Sequence, residues 1–146
     1  MSLKLLVING PNLNMLGIRE PAIYGAGNYA ALVDYIKSHA KASDIDVTVA
    51  QSNYEGEIIT QIQQALGVYQ GIVINAGGYT HTSVVIRDAI SAIDTPVVEI
   101  HISNIAAREE FRHTTLIGSV AIGSVVGFGL NSYRIGVEAL KLHLEQ

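Results

Sequence analysis

The stretch Gly71–Ile102, GIVINAGGYTHTSVVIRDAISAIDTPVVEIHI, decides the fold of this protein. It opens with a β-branched apolar run at Gly71–Asn75 and closes with another at Pro96–Ile102, each bounded by turn residues, as strands are. Between these runs, apolar residues recur at helical spacing: Val85, Ala89, Ile90 and Ile93. A strand, a helix and a second strand in this order predict a right-handed crossover between parallel strands.

The rest of the chain repeats this alternation. Further strands are predicted at Lys4–Asn9, Ile45–Gln51 and Ser119–Gly129, the last of them buried. Three more helices are predicted from apolar residues at helical spacing: Leu32, Val33, Ile36 and Ala40; Ile58, Ile59, Ile62 and Leu66; and Tyr133, Val137, Leu140 and Leu144. We therefore expect an α/β fold in one domain, residues 1–146, with a flavodoxin-like, doubly wound five-stranded parallel sheet of order 2-1-3-4-5.

Composition narrows the class of protein. The chain has 146 residues, 49% of them apolar, 15% charged and none of them cysteine, which excludes disulfides and thiolate chemistry. Its net charge of −4 and scattered basic residues lack the positive patch of a nucleic-acid binder. The mean hydropathy of +0.31 indicates apolar surface covered in an oligomer. Its apolar runs are too short for a signal peptide or a membrane span, so we expect a cytoplasmic protein.

Polar side chains follow three of the predicted strands. Asn12 follows the first, Asn75 ends the third, and Glu99 and His101 lie at the end of the fourth. In doubly wound folds ligands bind outside the carboxyl ends of the strands, where the strand order reverses. The segment Asn9–Gly25, NGPNLNMLGIREPAIYG, is also long and irregular, and such loops are usually functional or disordered. The sequence therefore predicts a site at this edge of the sheet.

The pair Glu99 and His101 is the clearest candidate for acid–base chemistry. Residues two apart on a strand share one face, and a carboxylate beside an imidazole orients the ring for proton transfer. A structural pair at a strand end is an equal alternative from the residues alone. A zinc site formed by Glu99, His101 and His81 is a weaker alternative, because no HExxH or comparable ligand spacing occurs.

Three arginines and a tyrosine lie in the predicted loops beyond strands 1 and 4. Arg19, Arg108 and Arg112 would focus positive potential on a small anionic ligand, although each alone fits a solvated surface. Arg19 lies close enough in sequence to Tyr24 to favour its phenolate. Glycine-rich nucleotide fingerprints and an FMN phosphate cradle are absent after strand 1, so no cofactor is expected.

The loop AGGYTHTS after the third strand has two interpretations. Its glycines allow backbone amides to approach an anion, while Thr80, Thr82 or Ser83 caps the following helix. An ordinary loop with a helix cap is the simpler alternative. If the loop alone carried function, the protein would be a non-catalytic anion- or nucleotide-binding module of flavodoxin-like fold.

Four segments taken together, GPNLNMLGIREPAIYG, INAGGYTHTSVVIRDA, VVEIHISN and AREEFRH, resemble the type II 3-dehydroquinate dehydratases nearly end to end. The resemblance implies anti elimination of water from 3-dehydroquinate through an enolate or enol, in the shikimate or quinate pathway, without metal or cofactor. It also implies a homododecamer built as four trimers. The sequence departs from the family at Ala76, usually proline, at Gly78, often alanine, and in HTTLIGS after Arg112.

The resemblance also implies a role for each site residue. Tyr24 resembles the base that takes the C2 proton, with Arg19 and Arg108 lowering its pKa, and His101 resembles the acid, oriented by Glu99. Asn12 resembles the residue that holds a water on the enolate oxygen. The implied substrate-binding groups are Asn75, His81, Arg112, the backbone amides of Ile102 and Ser103, and Asp88, which would reach a neighbouring subunit's site. Retention of an acid and a base argues against the binding-module alternative.

Overall fold

The computed structural model describes residues 2–18, 20–24 and 27–146, and for Tyr24 the backbone alone. A single parallel sheet has the strands β1 (Leu3–Asn9), β2 (Ile45–Gln51), β3 (Gly71–Asn75), β4 (Val97–His101) and β5 (Gly123–Val126). The strand order is β2-β1-β3-β4-β5, and every neighbouring pair is parallel. This confirms the predicted flavodoxin-like sheet and its order. Within the described ranges, none of the helices combines the length and apolar composition needed to cross a membrane.

The helices follow the strands and cover both faces of the sheet. They are α1 (Pro21–Tyr24), α2 (Tyr29–Ala42), α3 (Glu55–Ala65), α4 (Val84–Ser91) and α5 (Asn131–Leu144). Two begin at side-chain caps: Asn28 Oδ1 accepts from Ala31 N at 2.8 Å, and Ser83 Oγ accepts from Ile86 N at 3.0 Å. The four long helices were predicted, and the one-turn α1 lies in the segment read as irregular.

The core consists of two apolar layers separated by the sheet. Along β1, Leu5 and Val7 face the layer formed with α2 and α5, whereas Leu6 and Ile8 face the layer formed with α3 and α4. Successive side chains of a strand point to opposite faces, so one continuous apolar run serves both layers. Full burial of such a side chain stabilises the fold by about 1.5–3 kcal/mol.

Some predicted boundaries were wrong. The helix expected to include Ile93 ends at Ser91. Val85 is 47% exposed, whereas Ile86 is buried together with the predicted Ala89 and Ile90. Leu66 follows α3 and is 54% exposed. The buried strand expected at Ser119–Gly129 is instead a 3-10 turn at Gly118–Val120 followed by the four-residue β5.

The range predicted for β5 was wrong because this strand lies at the edge of the sheet. β5 is an edge strand whose first two residues are exposed, so its apolar residues are not a sign of burial on both faces. The strand ends where Gly127 takes a φ of 92°. That conformation belongs to the left-handed region, which a β-branched residue would occupy only with strain.

The chain segments after β1 and β3 are in close backbone contact at the carboxyl edge of the sheet. Gly10 N donates to Asn75 O at 2.7 Å, and a Cβ on Gly10 would lie 2.5 Å from the carbonyl oxygen of Ala76. Only glycine allows this approach. The two loops on either side of the switch point are thereby held together, and a cleft opens above them.

Candidate active site

A cavity of about 270 Å³ lies at the carboxyl ends of β1, β3 and β4. This is the switch point of the strand order, where doubly wound folds bind ligands. The cavity brings together side chains from three loops that are far apart in sequence. Among the residues predicted for the site, those that line it are Asn12, Asn75, His81, His101, Ile102, Ser103, Arg108 and Arg112.

Glu99 and His101 form a buried pair at the end of β4. Their relative exposures are 1% and 5%, and His101 Nε2 lies 2.9 Å from Glu99 Oε2. The carboxylate also accepts from three hydroxyls: Thr80 Oγ1 at 2.9 Å, Thr115 Oγ1 at 2.7 Å and Ser124 Oγ at 3.1 Å. Burial raises the pKa of Glu99, but the hydrogen bonds from His101, Thr115 and Thr80 outweigh burial, and the pKa is lowered overall. Glu99 is therefore an anion at neutral pH.

The hydrogen bond to Glu99 also fixes the tautomer of His101. An ionised carboxylate only accepts, so Nε2 of His101 carries a proton and donates it to Glu99. The other ring nitrogen, Nδ1, is then the atom whose protonation can change. His101 lines the cavity, so the pair can present a chargeable imidazole to a bound ligand.

His81 stands next to His101 and is held in a similar way. Its Nδ1 lies 2.8 Å from the backbone oxygen of Thr114, which can only accept, so Nδ1 is the donor. The His81 and His101 rings are stacked, with their centroids 6.4 Å apart and their planes 18° apart. In neutral His81 this leaves Nε2 as an acceptor for a ligand hydroxyl.

Within the described residues, no group of three or more His, Asp or Glu side chains is arranged to hold a metal ion.

Asn75 is fixed from below by a buried network that the sequence did not reveal. Tyr133, in α5 and completely buried, accepts from Asn75 Nδ2 at 2.9 Å and donates to Asn9 Oδ1 at 2.6 Å. Asn75 Oδ1 accepts from Gly77 N at 3.2 Å. Burial raises the pKa of Tyr133 above its ordinary value, so its hydroxyl stays protonated as a donor. The one available signal was a tyrosine on an aliphatic helix face, whose hydroxyl needs a buried partner.

Two arginines reach the cavity from the segment after β4. Arg108 has a side chain only 10% exposed; its Nη1 donates to Ser103 Oγ at 3.2 Å, and its Nη2 lies 3.8 Å from Glu20 Oε2. Arg112 donates from Nε to Glu109 Oε2 at 2.7 Å. Both guanidiniums line the cavity, so an otherwise acidic protein presents positive charge there. Glu20, close to Arg108, was not singled out from the sequence.

The base of the segment Asn9–Gly25 is held by Gln51, at the end of β2, and by Asn53, neither of which was singled out from the sequence. Asn12 has a φ of 70°, and its backbone N–H donates to Asn53 Oδ1 at 3.1 Å. Gln51 Nε2 in turn donates to Asn53 Oδ1 at 3.1 Å and to Gly10 O at 3.2 Å. Asparagine tolerates the left-handed region better than most residues, so the predicted site residue Asn12 also forms a tight turn.

The turn at Ile102 and Ser103 is fixed by the loop after β5. Gly127 N donates to His101 O at 3.1 Å, and Gly129 N donates to Ile102 O at 3.0 Å. Asn104 Oδ1 accepts from Ala106 N at 3.3 Å and caps the short 3-10 turn that follows. The backbone at this edge of the cavity is therefore rigidly placed by two neighbouring segments.

The remaining predicted site residues are not brought into the cavity within this chain. Asp88 lies on α4 with a side chain 61% exposed, paired with Arg87 at 3.1 Å. Glu99 lies behind His101 and does not line the cavity. Arg19 and the side chain of Tyr24 lie outside the described residues.

A doubly wound α/β fold with a buried carboxylate–imidazole pair facing a cationic cavity defines a candidate acid–base enzyme. The sequence matches the family described as Dehydroquinase class II over residues 3–141, and the chain belongs to that family.

Proteins similar in sequence match this chain over nearly its whole length. A 3-dehydroquinate dehydratase from Gloeothece citriformis (strain PCC 7424) is 53% identical over 142 residues, covering 97% of this chain and 93% of the relative. One from Trichodesmium erythraeum (strain IMS101) is 50% identical over 141 residues, covering 97% and 94%. The crystal structure of type II dehydroquinase from Butyrivibrio crossotus DSM 2876 matches with a TM-score of 0.94 and 48% identity, over 96% of this chain and 98% of that one.

Proposed function

We propose that this protein removes water from 3-dehydroquinate by anti elimination and releases 3-dehydroshikimate, in the cytoplasm and without a cofactor. The family membership supports the reaction. The observation that carries the mechanism is the Glu99–His101 pair, an ionised buried carboxylate that fixes the ring and leaves Nδ1 as its exchangeable atom.

The first step removes a proton from C2 of the substrate. Tyr24, as the phenolate, takes this proton, and the electron pair of the C–H bond moves toward the C3 carbonyl to give an enolate. Arg19 and Arg108 lower the pKa of the phenol by favouring its charged form. A water held by Asn12 donates a hydrogen bond to the enolate oxygen, where negative charge develops.

The second step expels the C1 hydroxyl. The enolate re-forms the carbonyl while a C1–C2 double bond forms and the C1–O bond breaks. His101 gives its Nδ1 proton to the departing oxygen, so that water leaves instead of hydroxide. Glu99 stabilises the imidazolium before this transfer through the 2.9 Å contact with Nε2.

Binding of the substrate is assigned to the groups around this pair. Arg112 and the backbone amides of Ile102 and Ser103 suit an anionic and hydroxylated ligand. Asn75 and His81 would bind substrate hydroxyls with the atoms that their internal hydrogen bonds leave available. Each of these residues lines the cavity, which supports the assignment.

The reaction is tested by adding 3-dehydroquinate to purified protein and following the ultraviolet absorbance of the conjugated product. We expect a steady rise that is proportional to enzyme concentration. The rate should survive a chelator, and also borohydride added with substrate, because no step uses a metal or an imine. Folded protein that gives no signal would favour the non-catalytic anion- or nucleotide-binding module instead.

We further propose that the protein works as a homododecamer of four trimers, with Asp88 of one subunit reaching the substrate of another. The mean hydropathy of +0.31 and exposed apolar side chains such as Phe128 and Leu142, each 62% exposed, support association. Asp88 is exposed on α4, where a neighbour could use it. Light scattering should show a trimer or a multiple of it, and a fully active monomer would contradict this proposal.

A further inference from the structure

The segment His113–Gly118 binds one imidazole of the cavity, His81, directly and contacts the carboxylate partner of the other, His101. The backbone oxygen of Thr114 holds His81 Nδ1 at 2.8 Å, and Thr115 Oγ1 lies 2.7 Å from Glu99 Oε2. The Thr115 contact is the shortest of the four described on that carboxylate. It also falls on the oxygen that binds His101 rather than on the opposite one, so Thr115 and His101 share one acceptor atom.

The Thr115 hydroxyl can donate its hydrogen bond only to Glu99. Thr115 Oγ1 accepts from the backbone N–H groups of Ile117 and Gly118, both at 3.2 Å. These two donors occupy the lone pairs of the hydroxyl oxygen, so its single hydrogen is left for Glu99. The backbone of the segment thus makes Thr115 an obligatory donor, whereas an isolated threonine hydroxyl could rotate.

The segment is also anchored so that this geometry persists. Leu116 N donates to the backbone oxygen of Thr80 at 2.8 Å, and the side chain of Thr80 donates to the same oxygen of Glu99. A Cβ on Gly118 would lie 2.9 Å from Thr115 Cγ2 and 3.3 Å from Glu99 Oε1. The segment therefore packs directly against the carboxylate, and a side chain at position 118 would crowd both Thr115 and Glu99.

We propose that Thr115 is a positioning residue for the dehydration: its hydroxyl fixes the ionised Oε2 of Glu99 toward Nε2 of His101, and so holds the acid in its working tautomer and orientation. This inference rests on the proposed function, since it assigns Thr115 to the same acid. A hydrogen bond from a neutral hydroxyl to a charged acceptor is strong enough for its loss to be measurable. Besides Glu99, the titratable or charged groups that share the described cavity with His101 are His81, whose ring centroid lies 6.4 Å away, and the guanidiniums of Arg108 and Arg112.

Thr115→Val tests the proposal because valine keeps the shape of threonine and removes the hydroxyl. We expect kcat to fall roughly 10- to 100-fold with KM nearly unchanged. The basic limb of the rate profile, which reports the acid, should move to lower pH, because a Glu99 carboxylate that is held less firmly stabilises the imidazolium less. Thr115→Ser, which retains the hydroxyl, should restore both kcat and the profile.

Two further variants separate this role from general damage. Thr60→Val makes the same change on the exposed side of α3 and should leave activity unchanged. Ser124→Ala removes the donor to Oε1, the oxygen that His101 does not contact, and should have a smaller effect than Thr115→Val. If Thr115→Val does not fold, Thr115→Ala replaces it, since alanine relieves crowding in the segment.

A readout independent of turnover comes from the 15N resonances of the His101 ring, which report its tautomer and hydrogen bonding. They should move in Thr115→Val and stay in place in Thr115→Ser. A Thr115→Val protein with wild-type kcat, pH profile and resonances overturns the proposal. So does equal loss in the serine and valine variants, which would mean that packing alone matters. Wild-type protein that does not dehydrate 3-dehydroquinate would instead refute the proposed function, while the resonances still test the hydrogen bond.

Discussion

Replacing Tyr24 with phenylalanine should lower kcat by about 10² to 10⁴, the usual contribution of a general base. The ring is kept, but the oxygen proposed to take the C2 proton is lost. Substrate should still bind, because Asn75, His81 and Arg112 line the cavity independently of residue 24. Initial rates from product absorbance give kcat, and calorimetric titration with substrate gives binding.

The matched control for this variant is Tyr54→Phe. Tyr54 is 73% exposed just before α3, so loss of its hydroxyl should leave both kcat and KM unchanged. Near wild-type turnover by Tyr24→Phe would refute the phenolate mechanism. His81 would then be the next candidate for the base, because it lines the cavity and its Nδ1 is held by Thr114 O, which leaves Nε2 for a ligand.

Replacing His101 with glutamine should have a comparable effect, again about 10² to 10⁴ in kcat. A glutamine amide can still donate to Glu99, so the buried carboxylate keeps a partner where His101 Nε2 now lies 2.9 Å away. The amide cannot titrate, however, and nothing replaces the proton carried by Nδ1. The fold should therefore survive while the acid is lost.

Two measurements distinguish loss of the acid from damage to the fold in His101→Gln. The basic limb of the rate profile, which reports deprotonation of the acid, should disappear in His101→Gln, and thermal unfolding should occur close to the wild-type temperature. His143→Gln, near the end of α5, makes the same chemical change away from the cavity and should leave turnover intact. Retention of the basic limb in His101→Gln would assign the acid to another group.

The fold was predictable because its signals are local and repeated. The apolar run of β1 and the helical spacing of Leu32 and Ile36 each report burial directly, and the alternation of such segments limits the topology to parallel crossovers. The two-residue spacing of Glu99 and His101 likewise places them on one face of β4, where the structure finds them in contact. The predicted range of β5 was too long because β5 is an edge strand, where an apolar sequence does not imply that both faces are buried.

The hydrogen bonds that hold the site residues in place were not predictable from the sequence, because they join segments that are distant along the chain. Thr80, Thr115 and Ser124 converge on Glu99 from three different parts of the chain, and nothing in the sequence marks any of them as a donor to that carboxylate. The bond between Tyr133 and Asn9 joins residues 124 positions apart. Periodicity reports which face is apolar, but it does not report which polar atoms will meet inside.

The crowding of donors around Glu99 has a consequence for how the catalyst resets between turnovers. A carboxylate that already accepts from four donors and stays ionised is a poor proton store, so it cannot resupply His101 after each reaction. In the proposed mechanism Tyr24 gains a proton and His101 loses one at Nδ1 in every turnover. The catalyst is therefore reset when a proton passes from the phenol to the imidazole across the cavity, without any contribution from Glu99.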